Sequence, residues 1–299
     1  MSLLEHFTFC SHGSSSLSSS SSGASKAIKP LQTGGFGQVY LAMANTSTYS
    51  TCCKYHSCFG LKQGQYYAIK FFNKRRNFLK KDIITVSNQI SGLCKVYFYE
   101  TMSKDEERYI RNLLKISNDI SLSDYCIMEF VDGFDIHDLL IKGQRFSKSE
   151  IKNMAKQVLT TLSKLHQKGY SHRDIKLENV IYNTSTEEYV LIDLDTLTNK
   201  AYTEDQVGTD CYLSPDIRDA YVNKQAVSAH MWQCADRYAL AIMIYELYHF
   251  GNKVDNDKVL SMSDVPDFRV SVPSEIRNLY WALITKTSEE TSHFLSYLS

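Results

Sequence analysis

The chain has 299 residues, 33 basic and 33 acidic side chains, and a formal net charge of zero. At 43% hydrophobic and 22% charged it has the composition of an ordinary globular protein, and the charge balance argues against nucleic acid or an anionic membrane as its partner. No apolar run reaches the roughly 18 residues of a spanning helix, and eight cysteines behind a start (MSLLEHFTFC) without a leader pattern predict reduced thiols inside a cell, in cytoplasm or nucleus.

Residues 11–25 hold ten serines in fifteen positions. Such a tract buries too little apolar surface to offset its ordering entropy, so residues 1–27 are expected to be a disordered Ser-rich tail. From 28 to about 130 the pattern is strands with one helix. QVYLAM (38–43), YYAIKFF (66–72), KVYFYE (95–100) and YCIMEF (125–130) are rich in aromatic and β-branched residues. The more polar stretch 73–92 has room for the helix. Beyond about 133 the period changes. Ile151, Met154, Val158, Leu162 and Leu165 fall at helical spacing over 151–169, and Gly169 serves as the stop. The stretch 235–250 is apolar nearly all round and predicts a buried helix. A further helix over 274–285 opens on Ser274 as its N-cap. A strand-rich first part before a helix-rich second part predicts an α+β chain of two lobes.

Four segments carry chemistry. LQTGGFGQVY (31–40) suits a hairpin folded over a phosphate, because glycine backbone can approach closely. Lys70 ends the apolar strand YYAIK, where its ammonium is poorly solvated and wants an anionic partner. In YSHRDIKLENVI (170–181), Asp174 can orient a hydroxyl and accept its proton. Lys176 can neutralise a phosphoryl group, and the Asn179 carbonyl is a hard oxygen ligand for Mg²⁺. VLIDLD (190–195) brings a second carboxylate, Asp193, to a strand end.

Together these segments resemble the eukaryotic-type protein kinases. HRD-x-K-x-x-N is matched at 172–179, GTDCYLSPD (208–216) resembles the family's G-T-x-x-Y-x-A-P-E, and Asp236 in ADRYALA resembles its buried helix aspartate. The resemblance covers about residues 30–285. It implies a small antiparallel-sheet N-lobe with one helix (about 28–130) and a larger, mainly helical C-lobe (about 131–299). Position by position, it implies that Gly34, Gly35 and Gly37 cover the phosphates of ATP and that Lys70 pairs with the α- and β-phosphates. Asp174 is then the base, Lys176 the γ-phosphate contact, and Asn179 and Asp193 the Mg²⁺ ligands. Val39 and Ala68 lie above adenine and Ile181 below, Met128 stands at the gatekeeper position, and Glu129 to Val131 form the hinge. Asp135 falls either near the ribose or in the first turn of a helix. Lys176 resembles Ser/Thr more than tyrosine kinases, so the implied partner is a protein Ser or Thr hydroxyl.

The chain also departs from the family. Gln32 replaces the first loop glycine, and 45–64 is an insertion with Cys52, Cys53, His56 and Cys58, read as a loop with free thiols. No glutamate lies between Lys70 and Glu100, which leaves Asp82 or Gln89 to face Lys70. DLD (193–195) replaces D-F-G, with Asp195 either a further ligand or a stiffener. SPD replaces A-P-E, and its usual buried arginine partner has no obvious counterpart. Asp205 or Glu204 is expected to supply the negative charge opposite Arg173, the alternative being a phosphorylated Thr203. The activity expected is ATP- and Mg²⁺-dependent Ser/Thr phosphorylation. A pseudokinase and a small-metabolite kinase are the competing readings.

Overall fold

Alternation of side chains in and out builds the first sheet. The computed structural model describes residues 3–10, 28–46, 60–73, 80–249, 272–286 and 288–298, in two compact units: 1–88 with 95–130, and 89–94 with 131–299. In the first unit the strands are β1 (Phe7–Cys10), β2 (Gln32–Gly34), β3 (Gly37–Ala44), β4 (Tyr66–Phe72), β5 (Val96–Thr101) and β6 (Asp124–Glu129). They form an antiparallel sheet in the order β1-β3-β4-β6-β5, with β2 also on β3. Tyr40, Ala42 and Ala44 of β3 join Tyr67, Ile69 and Phe71 of β4 in an aromatic-rich core. The opposite parity pairs Val39 with Lys70, Leu41 with Ala68, and Ala68 with Met128. Val39, Ala68, Lys70 and Met128 therefore share the other face, since directly opposed residues point the same way.

Two expectations for this unit need correction. Residues 3–10 are not part of a disordered tail. They form a 3₁₀ turn and β1, which pairs with β3 from Phe7↔Ala44 to Cys10↔Leu41. Beside β2, which takes β3 from Gln32↔Val39 to Gly34↔Gly37, β1 completes one edge of that strand. Its apolar alternation drives Phe7 and Phe9 into the core with Leu4. The rest of the expected tail, 1–2 and 11–27, lies outside the described residues. Among its described residues the unit also has two helices rather than one. α1 (Lys80–Gln89) falls in the stretch reserved for a helix, but α2 (Lys104–Leu114) follows β5. A reciprocal Ser103–Glu106 capping box starts α2, and its Ile110 and Leu114 enter the aromatic core. α1 is tied to β5 through Ser87 and Asn88, which bond the Val96 amide and carbonyl at 3.0 and 2.8 Å.

The second unit holds the three-stranded sheet β7 (Gly133–Asp135), β8 (Val180–Asn183) and β9 (Glu188–Leu191), and the pair β10 (Tyr202–Thr203) with β11 (Val227–Ser228). Its helices are α3 (Ile136–Ile141), α4 (Lys148–Gln167), α5 (Pro215–Val222), α6 (Ala229–His249) and α7 (Ser274–Thr285), with a closing 3₁₀ helix, Thr291–Leu298. α4 starts at a Ser147–Glu150 capping box and buries all five residues of the expected stripe. Gly169 beyond its end has a positive φ of 79°. α6 begins six residues before the expected 235. α7 keeps its expected bounds, but Pro273 takes the N-cap position and Ser274 is the first helical residue, without a capping bond. Among the described residues no helix is long and apolar enough to cross a membrane. Cys52, Cys53, His56 and Cys58 lie outside them.

Candidate active site

In the first unit, β2 and β3 make the expected hairpin, with Gly34 opposite Gly37. A Cβ on Gly37 would collide with the Phe71 carbonyl, so packing alone demands that glycine. Gly34 and Gly35 are different: a Cβ on either meets nothing within 4 Å. Their bare backbone borders open space, a cradle that side chains would fill and that suits a phosphate. Lys70 is 6% exposed in β4, on the face with Val39 and Ala68, its ammonium 5.5 Å from the Phe72 ring centroid. Of the two candidates for the missing glutamate, Gln89 is exposed and its amide oxygen takes Lys168 at 3.1 Å. Asp82, half-buried in the first turn, is the one carboxylate on α1. Glu129 ends β6 with its amide on the Lys95 carbonyl at 2.9 Å.

In the second unit, Asp236 of α6 organises the loop after α4. Its Oδ2 and Oδ1 accept the His172 and Arg173 amides, both at 2.8 Å. Arg173 is thereby held at a φ of 73°, a conformation that persists only where its surroundings impose it. Burial alone would raise the Asp236 pKa, but the hydrogen bonds from His166 and the Arg173 amide hold the carboxyl below its usual range.

That anchor presents Asp174. One carboxylate oxygen accepts from Thr209 Oγ1 at 2.8 Å, and the other lies 2.9 Å from Lys176 Nζ. Lys176 also donates to Thr209 Oγ1 at 2.9 Å, closing a three-membered ring. Asn179 spends its amide nitrogen on Asp174, donating to the backbone carbonyl at 2.8 Å and to Oδ2 at 3.0 Å. This fixes its flip and leaves Oδ1 without a protein donor among the described residues. The Asn179 carbonyl accepts the Ile192 amide at 2.9 Å, which ties the following aspartate, Asp193, to the same loop. Asp193 sits at a φ of 59° at the head of a 3₁₀ turn in which Leu194 and Asp195 are buried. An oxygen pair such as Asn179 Oδ1 and the Asp193 carboxylate is the hard donor set that Mg²⁺ takes. Ile181 lies half-buried in β8, and the amide and carbonyl of buried Val131 have no partner among the described residues. Asp135 proves to be the N-cap of α3, accepting the Asp138 amide at 2.8 Å.

The segment from Thr196 to Pro215 is pinned from several sides. Arg173 donates through Nε to the Thr196 carbonyl and through Nη1 to Asp205 Oδ1 at 3.0 Å, and its guanidinium lies over Trp232. Burial opposes the Asp205 charge, but Arg173 outweighs it and holds this carboxyl below its usual range. Thr203 is 5% exposed, and its hydroxyl accepts the Trp232 indole N–H at 2.7 Å. Tyr221 clamps Val207 by both amide and carbonyl at 2.8 Å. Gly208 has a φ of 101° beside Leu213 and the Arg173 carbonyl. In SPD, Asp216 is exposed, so no buried ion pair is built on it; Arg218 instead holds the Leu213 carbonyl at 2.8 Å. Thr209, Thr196 and His166 were not singled out from sequence as site residues. Only Thr209 carried a signal, inside the GTDCYLSPD segment.

Glu246 of α6 accepts the Tyr212 hydroxyl at 2.6 Å. Burial and the charge of Glu178 push its pKa up to about 7, against the pull of Tyr212. A folded-state pKa above the unfolded value of 4.5 means that the charge costs stability as pH rises through that window. Glu246→Gln keeps an acceptor for Tyr212. It is expected to match the wild type near pH 4 and to exceed it by up to about 3 kcal/mol above pH 7, read from denaturant unfolding at both pH values.

A protein kinase domain family matches residues 48–298. Among curated proteins, the chain is 26% identical over 197 residues to a calcium/calmodulin-dependent protein kinase type 1 of Caenorhabditis briggsae, covering 62% of this chain and 46% of that protein. It is 24% identical over 241 residues to calcium-dependent protein kinase 5 of Plasmodium falciparum, covering 77% and 37%. It is 28% identical over 171 residues to the serine/threonine-protein kinase cds1 of Schizosaccharomyces pombe, covering 52% and 34%. The chain thus spans less than half the length of these relatives.

Proposed function

The chain belongs to the protein kinase domain family, and from that premise we propose that it is an active Ser/Thr protein kinase, moving the γ-phosphoryl group of Mg·ATP to a protein hydroxyl. The observation that carries this reading is the closed ring of Asp174, Lys176 and Thr209. Asp174 orients the attacking hydroxyl and takes its proton as the new P–O bond forms and the bond to ADP breaks. Lys176, already on the Asp174 carboxylate, stands ready for the charge of the transferring group. Asn179 Oδ1 and Asp193 would hold Mg²⁺, which when bound neutralises phosphate charge. Gly34, Gly35 and Gly37 would lie along the phosphates, and Lys70 would pair with the α- and β-phosphates. Val39, Ala68 and Ile181 would bound the adenine, whose edge the Glu129–Val131 backbone would read. The five described cysteines are not joined in disulfides, which supports an intracellular setting.

The deciding experiment is transfer of labelled γ-phosphate from Mg·ATP to a generic protein substrate, beside thermal shifts with ATP. Transfer to serine or threonine supports the proposal. A second reading, a nucleotide-binding pseudokinase, draws on Asp195 in the place of a glycine and on an α1 without glutamate. Stabilisation by ATP without transfer would favour it.

The same proposal includes a segment that needs no phosphorylation. Asp205 already occupies Arg173, and the Thr203 hydroxyl is buried against Trp232. Asp205→Ala is expected to lower kcat by about tenfold, the scale of a lost charge-assisted contact, and mass spectrometry of the active wild type should find Thr203 unmodified. Full activity of the alanine variant with phosphate on Thr203 would refute it.

A further inference from the structure

The carboxylate that anchors the catalytic loop has a support of its own. His166 Nε2 lies 2.9 Å from Asp236 Oδ2, and His166 Nδ1 lies 2.6 Å from the hydroxyl of Thr291. Thr291 opens the closing 3₁₀ helix, 125 positions along the chain from His166. Arg237 Nη1 reaches the same hydroxyl at 3.1 Å, and the Arg237 guanidinium rests over the Phe294 ring at 5.1 Å. All four polar residues are 8% exposed or less.

With the His166 ring neutral, donor and acceptor capacities give this chain one direction. A guanidinium only donates, and an ionised carboxylate only accepts. The Thr291 oxygen therefore accepts from Arg237, and the carboxylate of Asp236 requires the His166 proton on Nε2. That leaves Nδ1 as an acceptor, and the single proton of Thr291 is the one that fills it. The order runs Arg237 to Thr291 to His166 to Asp236, where the His172 and Arg173 amides meet it from the other side.

We propose that Thr291 is a positioning residue for phosphoryl transfer. By donating to Nδ1 it fixes the His166 ring, which fixes the Asp236 carboxylate, which holds the backbone leading into Asp174. A partner behind a directly acting group often governs its orientation in this manner. The inference rests on the proposed kinase activity, but its first readout does not.

The test compares Thr291→Val, which keeps the shape and removes the hydroxyl, with Thr291→Ser, which restores the hydroxyl. In the full-length chain, the ¹⁵N resonance of His166 Nδ1 is expected to report an accepted hydrogen bond in the wild type and the serine variant. In the valine variant it should move toward the position of a free acceptor. Alongside, the valine variant should lose about tenfold in kcat with the KM for ATP unchanged within about twofold, and serine should recover kcat. An Nδ1 resonance or a kcat that valine leaves untouched overturns the proposal, as does serine failing to restore them. If the wild type transfers no phosphate, the kinase reading has failed, and the imidazole resonance alone decides the relay. Should the valine variant not fold, Thr291→Cys, a weak hydrogen-bond partner of similar size, takes its place in the comparison.

Discussion

Asp174→Asn is expected to slow phosphoryl transfer by about 10²- to 10⁴-fold, the span that a positioned general base contributes. The replacement is close to isosteric. Its amide oxygen can still accept from Thr209 Oγ1, and Asn179 still donates to the residue's backbone carbonyl. What disappears is the negative charge facing Lys176 and the site for the hydroxyl proton. Thermal stabilisation by ATP should survive, because the glycine hairpin and Lys70 are untouched. The measurement is the rate of labelled phosphate transfer beside the shift in melting temperature with nucleotide. A variant that transfers at the wild-type rate would remove Asp174 from the proposed mechanism.

The second large effect belongs to the start of the chain. Phe7→Ala is expected to cost about 3–5 kcal/mol, the usual loss for a buried phenylalanine. Phe7 packs edge-on to Tyr67 at 6.0 Å between centroids, and Phe9 does the same to Tyr40 at 6.4 Å. Deleting residues 1–10 removes both rings, Leu4 and the four-residue ladder along β3. It should lower the first thermal transition by about 10 °C or more. Calorimetry of the truncated and full-length chains checks this. An unshifted transition would mean that β1 adds nothing to the first unit.

Such a strand was hard to read from sequence. Phe7–Cys10 is four residues long and abuts a serine tract, and it exists only because β3, more than thirty positions on, offers an open edge. Helix α2 was missed for another reason. KDEERYIRNLL is mostly charged, and only Ile110 and Leu114 are buried, so no apolar stripe announced it. Its local signals were polar ones: the Ser103–Glu106 box, the acidic first turn and the Glu107–Arg111 pair. By contrast, β4 and the α4 stripe were legible because each carries its whole pattern within one element. The chemistry followed the same rule. Asp174, Lys176 and Asn179 stand in one short loop, whereas the burial of Thr203 against Trp232 and the reach of Thr291 to His166 are made by tertiary contact alone.

The double grip of Asp236 on the His172 and Arg173 amides has a consequence for cooperativity. A loop joined only to itself can open at little cost, as many surface loops do. This one is bonded to the middle of a helix whose side chains are buried nearly all round. Opening it means breaking two charge-assisted bonds and leaving a buried carboxylate with His166 as its remaining donor. The proposed catalytic residues are thus tied to the second unit's folding core. Under the proposed activity, substitutions that loosen α6 are expected to lower turnover and stability together.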